Sequence, residues 1–220
     1  MSLIDQSLAG RPVHPTLWVA AGLMVAAELL FSAVDAGLIG QEAGRFTAYI
    51  LFGYWDIAFE HARATGEVPP QLVWSLLTHA FLHGGWLHLL MNVAAFLGLG
   101  HAVSQMVGIR ALAITFAATA ASGALVYSLI TDFNGPLVGA SGVIFGLIAM
   151  VTAWQEQALR RRGEDRSPIW QRILGLVLLN VALDIAMGGM LAWEAHLGGS
   201  IAGWALASVI HPRRRPSPWR

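Results

Sequence analysis

Apolar residues fall into six long blocks along this chain, divided by polar, basic or glycine-rich stretches. The first block, residues 16–39, exceeds the roughly 20 residues that a helix needs to cross a bilayer. Glu28 and Asp35 interrupt it, and such groups either face a bundle interior or sit near the outer surface. Residues 40–75 read differently. They mix Arg45, Asp56, Glu60, Arg63 and Glu67 with Phe46, Tyr49, Phe52, Tyr54, Trp55 and Phe59, and close on Pro69-Pro70. That mixture predicts an interfacial segment containing short helices rather than a span. The second block, 76–106, carries His79, His83, His88 and His101. Gly84-Gly85 marks where loop turns into helix, and the spacing His88-x-x-x-Asn92 puts both polar groups on one helical face. After a turn at Gly108 and Arg110, a third block runs over 111–130. The fourth covers 141–154, the fifth 173–190 with Asn180 and Asp184 inside it, and the sixth 196–210.

Composition sets the class. Hydrophobic residues make up 56% of the 220 and charged residues only 12%. A soluble domain of this length carries about twice that charge. The expectation is an all-α fold, a polytopic membrane bundle of six transmembrane helices. Residues 1–15 form an N-terminal tail, 16–211 the membrane domain and 212–220 a basic C-terminal tail. The tail 1–15 lacks the compact basic start and short apolar core of a cleaved signal peptide. There is no cysteine, so disulfides and thiolate ligands are excluded.

Charge distribution predicts the orientation. Six spans put both termini on one side. That side holds Arg11, Arg110, the loop with Arg160, Arg161, Arg162, Arg166 and Arg172, and the tail with Arg213, Arg214, Arg215 and Arg220. Only Arg45 and Arg63 fall on the other. By the positive-inside rule both termini are cytoplasmic. Ser141, His196, Asn92 and His88 then come from three spans yet share the extracytoplasmic side.

The stretch Gly139-Ala140-Ser141-Gly142-Val143-Ile144-Phe145-Gly146 opens the fourth span. It follows Asp132-Phe133-Asn134-Gly135-Pro136, a loop signal, so Ser141 starts a helix. A helix N-terminus favours developing negative charge, which suits an acyl-transfer nucleophile. Gly142 and Gly146 also make a small-residue packing pair. From Ser141 to Trp154 the rise is only about 21 Å at 1.5 Å per residue. Against a hydrocarbon core of roughly 30 Å, and with Trp154 at the inner interface, Ser141 is submerged. The loop 131–138 must then dip inward beside a wet cavity.

Serine hydrolysis needs a nucleophile, a base and an oxyanion site. Ser141 supplies the first. His196 is the natural base, since histidine titrates near neutrality. The Ser141 N–H with the side chains of Asn92 and His88 can form the oxyanion site. Gly199 and Gly203 share the face of His196 and let the sixth helix press on Gly142 and Gly146 of the fourth. Phe145, one turn below Ser141, is placed to pack on the His196 ring. The soluble G-x-S-x-G elbow is absent, because Val143 stands where its last glycine would be. His79 and His83 are four apart but lack the Glu of H-E-x-x-H, so no metal site is expected. Nor does a repeat of the kind seen in transporters occur.

Three motifs carry a resemblance: His83-x4-His88-x3-Asn92, Gly139-Ala140-Ser141-Gly142, and Ala195-His196-x2-Gly199-x3-Gly203. In this order, over about residues 70–210, they resemble the rhomboid family of intramembrane serine proteases. The resemblance implies a Ser141–His196 dyad with no acidic third member, and an oxyanion site at Asn92 and His88. It implies a half-submerged first loop, and lateral substrate entry past the fifth helix and the connector 188–194. It further implies transmembrane segments of single-span or polytopic membrane proteins as substrates, cleaved near their outer ends, with the lipid bilayer as the other partner. No cofactor and no nucleic acid are expected. The six-span form resembles bacterial members, which implies a bacterial inner (plasma) membrane. A catalytically inactive relative that binds membrane-protein clients is the alternative. Two departures stand out: Phe145 replaces a frequent Tyr, and Trp74-Ser75 replaces a frequent Trp-Arg, which bears on the loop rather than the dyad.

Overall fold

The computed structural model describes residues 12–40, 44–133, 135–186 and 188–213. Of the expected tails, residues 1–11 and 214–220 lie outside the described residues, as does Asn134 of the loop before Ser141. The described residues form helices and no strand, only an isolated antiparallel bridge. In chain order the helices are α1 (Pro15–Asp35), α2 (Arg45–Phe52), α3 (Asp56–Thr65), α4 (Pro70–Thr78), α5 (Trp86–Val107), α6 (Ile109–Ile130), α7 (Ser141–Arg162), α8 (Ser167–Ala186) and α9 (Trp193–Leu206). A short 3-10 turn, His79–Phe81, follows α4.

Five of these, α1, α5, α6, α7 and α8, are long and apolar enough to cross a membrane. The sixth bundle helix, α9, is 14 residues long and is continued by turns as far as Val209. Pro15 opens α1, where its missing N–H costs nothing. Gly108, at a φ of 89°, makes the one-residue break between α5 and α6 that a side chain would resist. The expected fourth span ended at Trp154, but α7 runs on to Arg162 and stops at Gly163. Gln, Glu, Ala, Leu and Arg after Trp154 are all strong helix formers. Trp154 itself is 3% exposed and donates its indole N–H to the Ile210 carbonyl at 2.9 Å. It is therefore no interfacial marker, and the depth of Ser141 does not follow from it. From Ser141 to Arg160 the helix rises about 28 Å at 1.5 Å per residue, close to the thickness of a hydrocarbon core.

The centre of the bundle is α9, wedged between α6 and α7 through glycine. A Cβ on Gly199 would clash with the Gly142 carbonyl oxygen, and one on Gly203 with the Gly146 carbonyl oxygen. On the other side Gly198 lies against Ser122 and Gly123, and Ser122 Oγ donates to the Gly198 carbonyl at 2.9 Å. The main apolar core fills the space between α1, α5, α6 and α7, around Met24, Leu89, Val103, Leu147 and Met150. In contrast α8 buries only Ile169 among its described side chains.

The segment 44–78 holds three short helices, as its aromatic and charged mixture predicts. Polar anchors fix it. Arg45 donates to both carboxylate oxygens of Glu28 at 3.0 and 2.8 Å, and to the His83 carbonyl at 2.7 Å. The bonds to Glu28 hold its guanidinium still more firmly protonated. Tyr49 Oη donates to the same His83 carbonyl at 2.7 Å. Asp35 lies at the rim, 3.7 Å from Arg45. Ser75, in place of the frequent Arg, is 1% exposed and among the described residues donates only to its own helix at Leu72. The loop's charged anchor is thus Arg45. Glu28 is 1% exposed, so Arg45→Ala would strand a buried carboxylate, a change that costs about 3–5 kcal/mol. The expected result is a melting temperature lower by on the order of 10 °C, read by thermal unfolding in detergent. An unchanged melting temperature would show that the pair does not hold the loop.

Candidate active site

Four segments meet at the N-terminus of α7. The loop before it is tied down twice. Leu137 pairs with Tyr54 through two backbone bonds of 2.8 and 3.2 Å, and the Gly139 N–H donates to the His79 carbonyl at 2.9 Å. Tyr127 Oη donates to the Gly135 carbonyl at 3.1 Å. These bonds satisfy irregular backbone that lies beside apolar helices. Gly139 has a φ of 117°, where a side chain is strained. It also has no room for one: a Cβ there would sit 2.8 Å from Cε1 and Nε2 of His88 and 3.9 Å from Ser141 Oγ. The empty side of Gly139 is thus what lets the His88 ring approach the serine.

His88 lies in the first turn of α5. Its Nδ1 accepts the Gly84 N–H at 3.2 Å. In the neutral ring this leaves the proton on Nε2, the nitrogen that faces Gly139. The ring packs edge-on against His83, with centroids 5.0 Å apart. His83 is 1% exposed, and among the described residues neither of its ring nitrogens makes a well-formed hydrogen bond. Asn92, one turn further along α5, is 4% exposed and donates to the His88 carbonyl at 2.8 Å. Its Oδ1 is buried and, among the described residues, has no hydrogen-bond partner. Its hydrogen bond therefore runs along α5 and not to Ser141.

Ser141 is the first residue of α7, with its N–H among those that the helix leaves free. The residue after it and the residue before His196 touch: a Cβ on Gly142 would lie 3.1 Å from the Ala195 carbonyl oxygen. The His196 ring stacks flat on Phe145, with centroids 4.2 Å apart and 5° between planes. His196 is 5% exposed. Among the described residues its ring hydrogen-bonds Asn180 of α8, Nδ1 to Oδ1 at 2.8 Å, and not Ser141. A loose nucleophile–base pair is common before substrate binds. Phe145 packs on the His196 ring, and α9 lies against α7 at Gly142, Gly199 and Gly203. From the sequence Asn180 is a polar residue inside a span and nothing more. Its isolation among apolar neighbours was the available signal.

A helix bundle with five bilayer-length helices, and with a serine, two histidines and two asparagines gathered at one end, defines an integral membrane protein with a polar site. The chain belongs to the rhomboid family: the model for the rhomboid domain matches residues 70–213. It is 30% identical over 152 residues to Rhomboid-like protease 1 of Toxoplasma gondii, covering 66% of this chain and 50% of that one. It is 33% identical over 151 residues to Rhomboid protease GlpG of Klebsiella pneumoniae, covering 64% and 51%. With RHOMBOID-like protein 5 of Arabidopsis thaliana it shares 29% over 160 residues, covering 67% and 49%. The chain spans about half the length of these relatives.

Proposed function

We propose that this protein is an intramembrane serine endopeptidase that hydrolyses peptide bonds in or near transmembrane segments of other membrane proteins. The observation that carries the reading is the flat stack of His196 on Phe145, one turn from Ser141, with Gly142 against Ala195. It supports a Ser141–His196 dyad. Ser141 Oγ attacks the scissile carbonyl while His196 Nε2 takes its proton. The tetrahedral oxyanion receives the Ser141 N–H, the His88 Nε2–H and the free N–H of the Asn92 amide. His196 then returns the proton to the leaving amine. It next activates the water that releases the acyl group from Ser141.

The test is labelling of the purified chain by a serine-reactive fluorophosphonate, wild type against Ser141→Ala, beside cleavage of a single-span substrate with small residues near its outer end. Labelling and cleavage that both vanish in Ser141→Ala are expected. A wild type that binds the substrate but neither labels nor cleaves would instead identify an inactive client-binding relative.

The same reading takes residues 16–211 as one membrane unit, in the plasma membrane of a bacterium, with both tails cytoplasmic. The support is the arginine asymmetry. A reporter active only in the cytoplasm is expected to work when fused after Arg220, and one active only outside to stay silent. The reverse pattern would invert the bundle and put Ser141 on the inner side.

A further inference from the structure

The helix α8 is the outlier of the bundle. Among its described side chains only Ile169 is buried, yet its apolar stretch carries Asn180 and Asp184, one turn apart. Polar groups at such positions need a reason. Both line a cavity of about 840 Å³ between α7, α8 and α9, whose other walls include Phe145, Trp193, His196 and Trp204. Asp184 has a local task, since its Oδ1 accepts the Leu191 N–H at 3.2 Å and closes the turn after α8. Asn180 has none. Its amide oxygen reaches another helix and meets His196 Nδ1 at 2.8 Å.

We infer that Asn180 is the positioning residue of His196, forming with it and Ser141 an Asn–His–Ser relay from three helices. The inference rests on the reading of His196 as the base. An amide oxygen can only accept, so it puts the ring proton on Nδ1 and leaves the Nε2 lone pair free to take the Ser141 proton. The opposite tautomer has its proton on Nε2 and cannot act as base. The stack on Phe145 does not do this work. It fixes the plane of the imidazole, but a half-turn about Cβ–Cγ keeps that plane while exchanging nitrogen for carbon at each edge. Phe145 has no hydroxyl with which to mark one edge. The bond to Asn180 removes that degeneracy, and it strengthens as the ring gains charge in the transition state. The rhomboid resemblance implies a dyad with no acidic third member; here a neutral amide fills that place.

A structural role and a positioning role separate cleanly, because the cavity around Asn180 is apolar. Leu there keeps the volume and removes the acceptor, so packing alone predicts equal or better stability and full activity. We expect Asn180→Leu to stay folded, melting only a few degrees lower because the buried His196 Nδ1–H loses its acceptor, and to keep the wild-type KM for a single-span substrate. We expect its kcat, and the rate at which a fluorophosphonate labels Ser141, to fall roughly 10- to 100-fold, the loss of one bond to a charged group. Asn180→Asp preserves shape and acceptor and should recover both rates. If Asn180→Leu melts early, Asn180→Ala decides on the same readouts. Labelling of the stable variant at the wild-type rate would overturn the inference and leave the protease reading intact. So would an Asp variant as slow as Leu. A wild type that does not label overturns both.

Discussion

Ser141→Ala and His196→Ala are expected to reduce cleavage of a single-span substrate to background, while Asn92→Ala leaves slow but measurable cleavage. The contrast follows from how the site is built. Nucleophile and base act as a unit, so losing either costs nearly as much as losing both. The oxyanion site is redundant. Asn92 offers one N–H, because its other is committed to the His88 carbonyl at 2.8 Å. The Ser141 N–H and His88 Nε2–H remain when it is gone. One such donor is worth about 2.7–4 kcal/mol, or roughly a hundred- to a thousandfold in kcat. His88→Ala should cost more than Asn92→Ala. It removes a donor and also the ring that fills the space beside Gly139 and packs on His83. Initial rates with one substrate in detergent would rank the four variants. Asn92→Ala as dead as Ser141→Ala would show that the oxyanion site is not divided in this way.

What the sequence disclosed and what it hid follow from the range of each interaction. Bilayer-length apolar blocks are a local property, and five of the six expected spans appear as helices of spanning length. The glycines of α9 and the stack of Phe145 on His196 follow from helical spacing once two helices are known to meet. Boundaries were less legible. The α7 helix outruns its apolar block because helix propensity continues through Gln155 to Arg162 after hydropathy falls. Side-chain pairings distant along the chain were hidden altogether. Glu28 had two possible settings, bundle or surface, and only the fold shows Arg45 brought against it. Asn180 and His196, sixteen residues apart on separate helices, have no periodicity to link them.

Gly199→Val should be the most damaging single change outside the polar site, in both stability and rate. Adding side-chain atoms to a packed core commonly costs about 1–3 kcal/mol, because neighbouring side chains can turn aside. No side chain is available to move here. The Cβ of residue 199 would clash with the carbonyl oxygen of Gly142, and that of residue 203 with the carbonyl oxygen of Gly146. The backbone of α9 must therefore separate from α7, and the loss should reach or exceed the top of that range. The two sites differ in their effect on chemistry. Gly199 is one turn from His196, whereas Gly203 is about 10 Å along the axis at 1.5 Å per residue. A displacement of about 1 Å at reacting groups can cost a hundredfold in rate. Gly199→Val should therefore lose more activity than Gly203→Val for a similar fall in melting temperature. Gly175→Ala on α8 is the control. Nothing lies within 4 Å of its added Cβ, and Ala is the better helix former, so it should be neutral or stabilising. Thermal unfolding and single-turnover cleavage of the three variants would settle the point. A Gly199→Val protein with wild-type stability and rate would mean that α9 is not held against α7 through glycine.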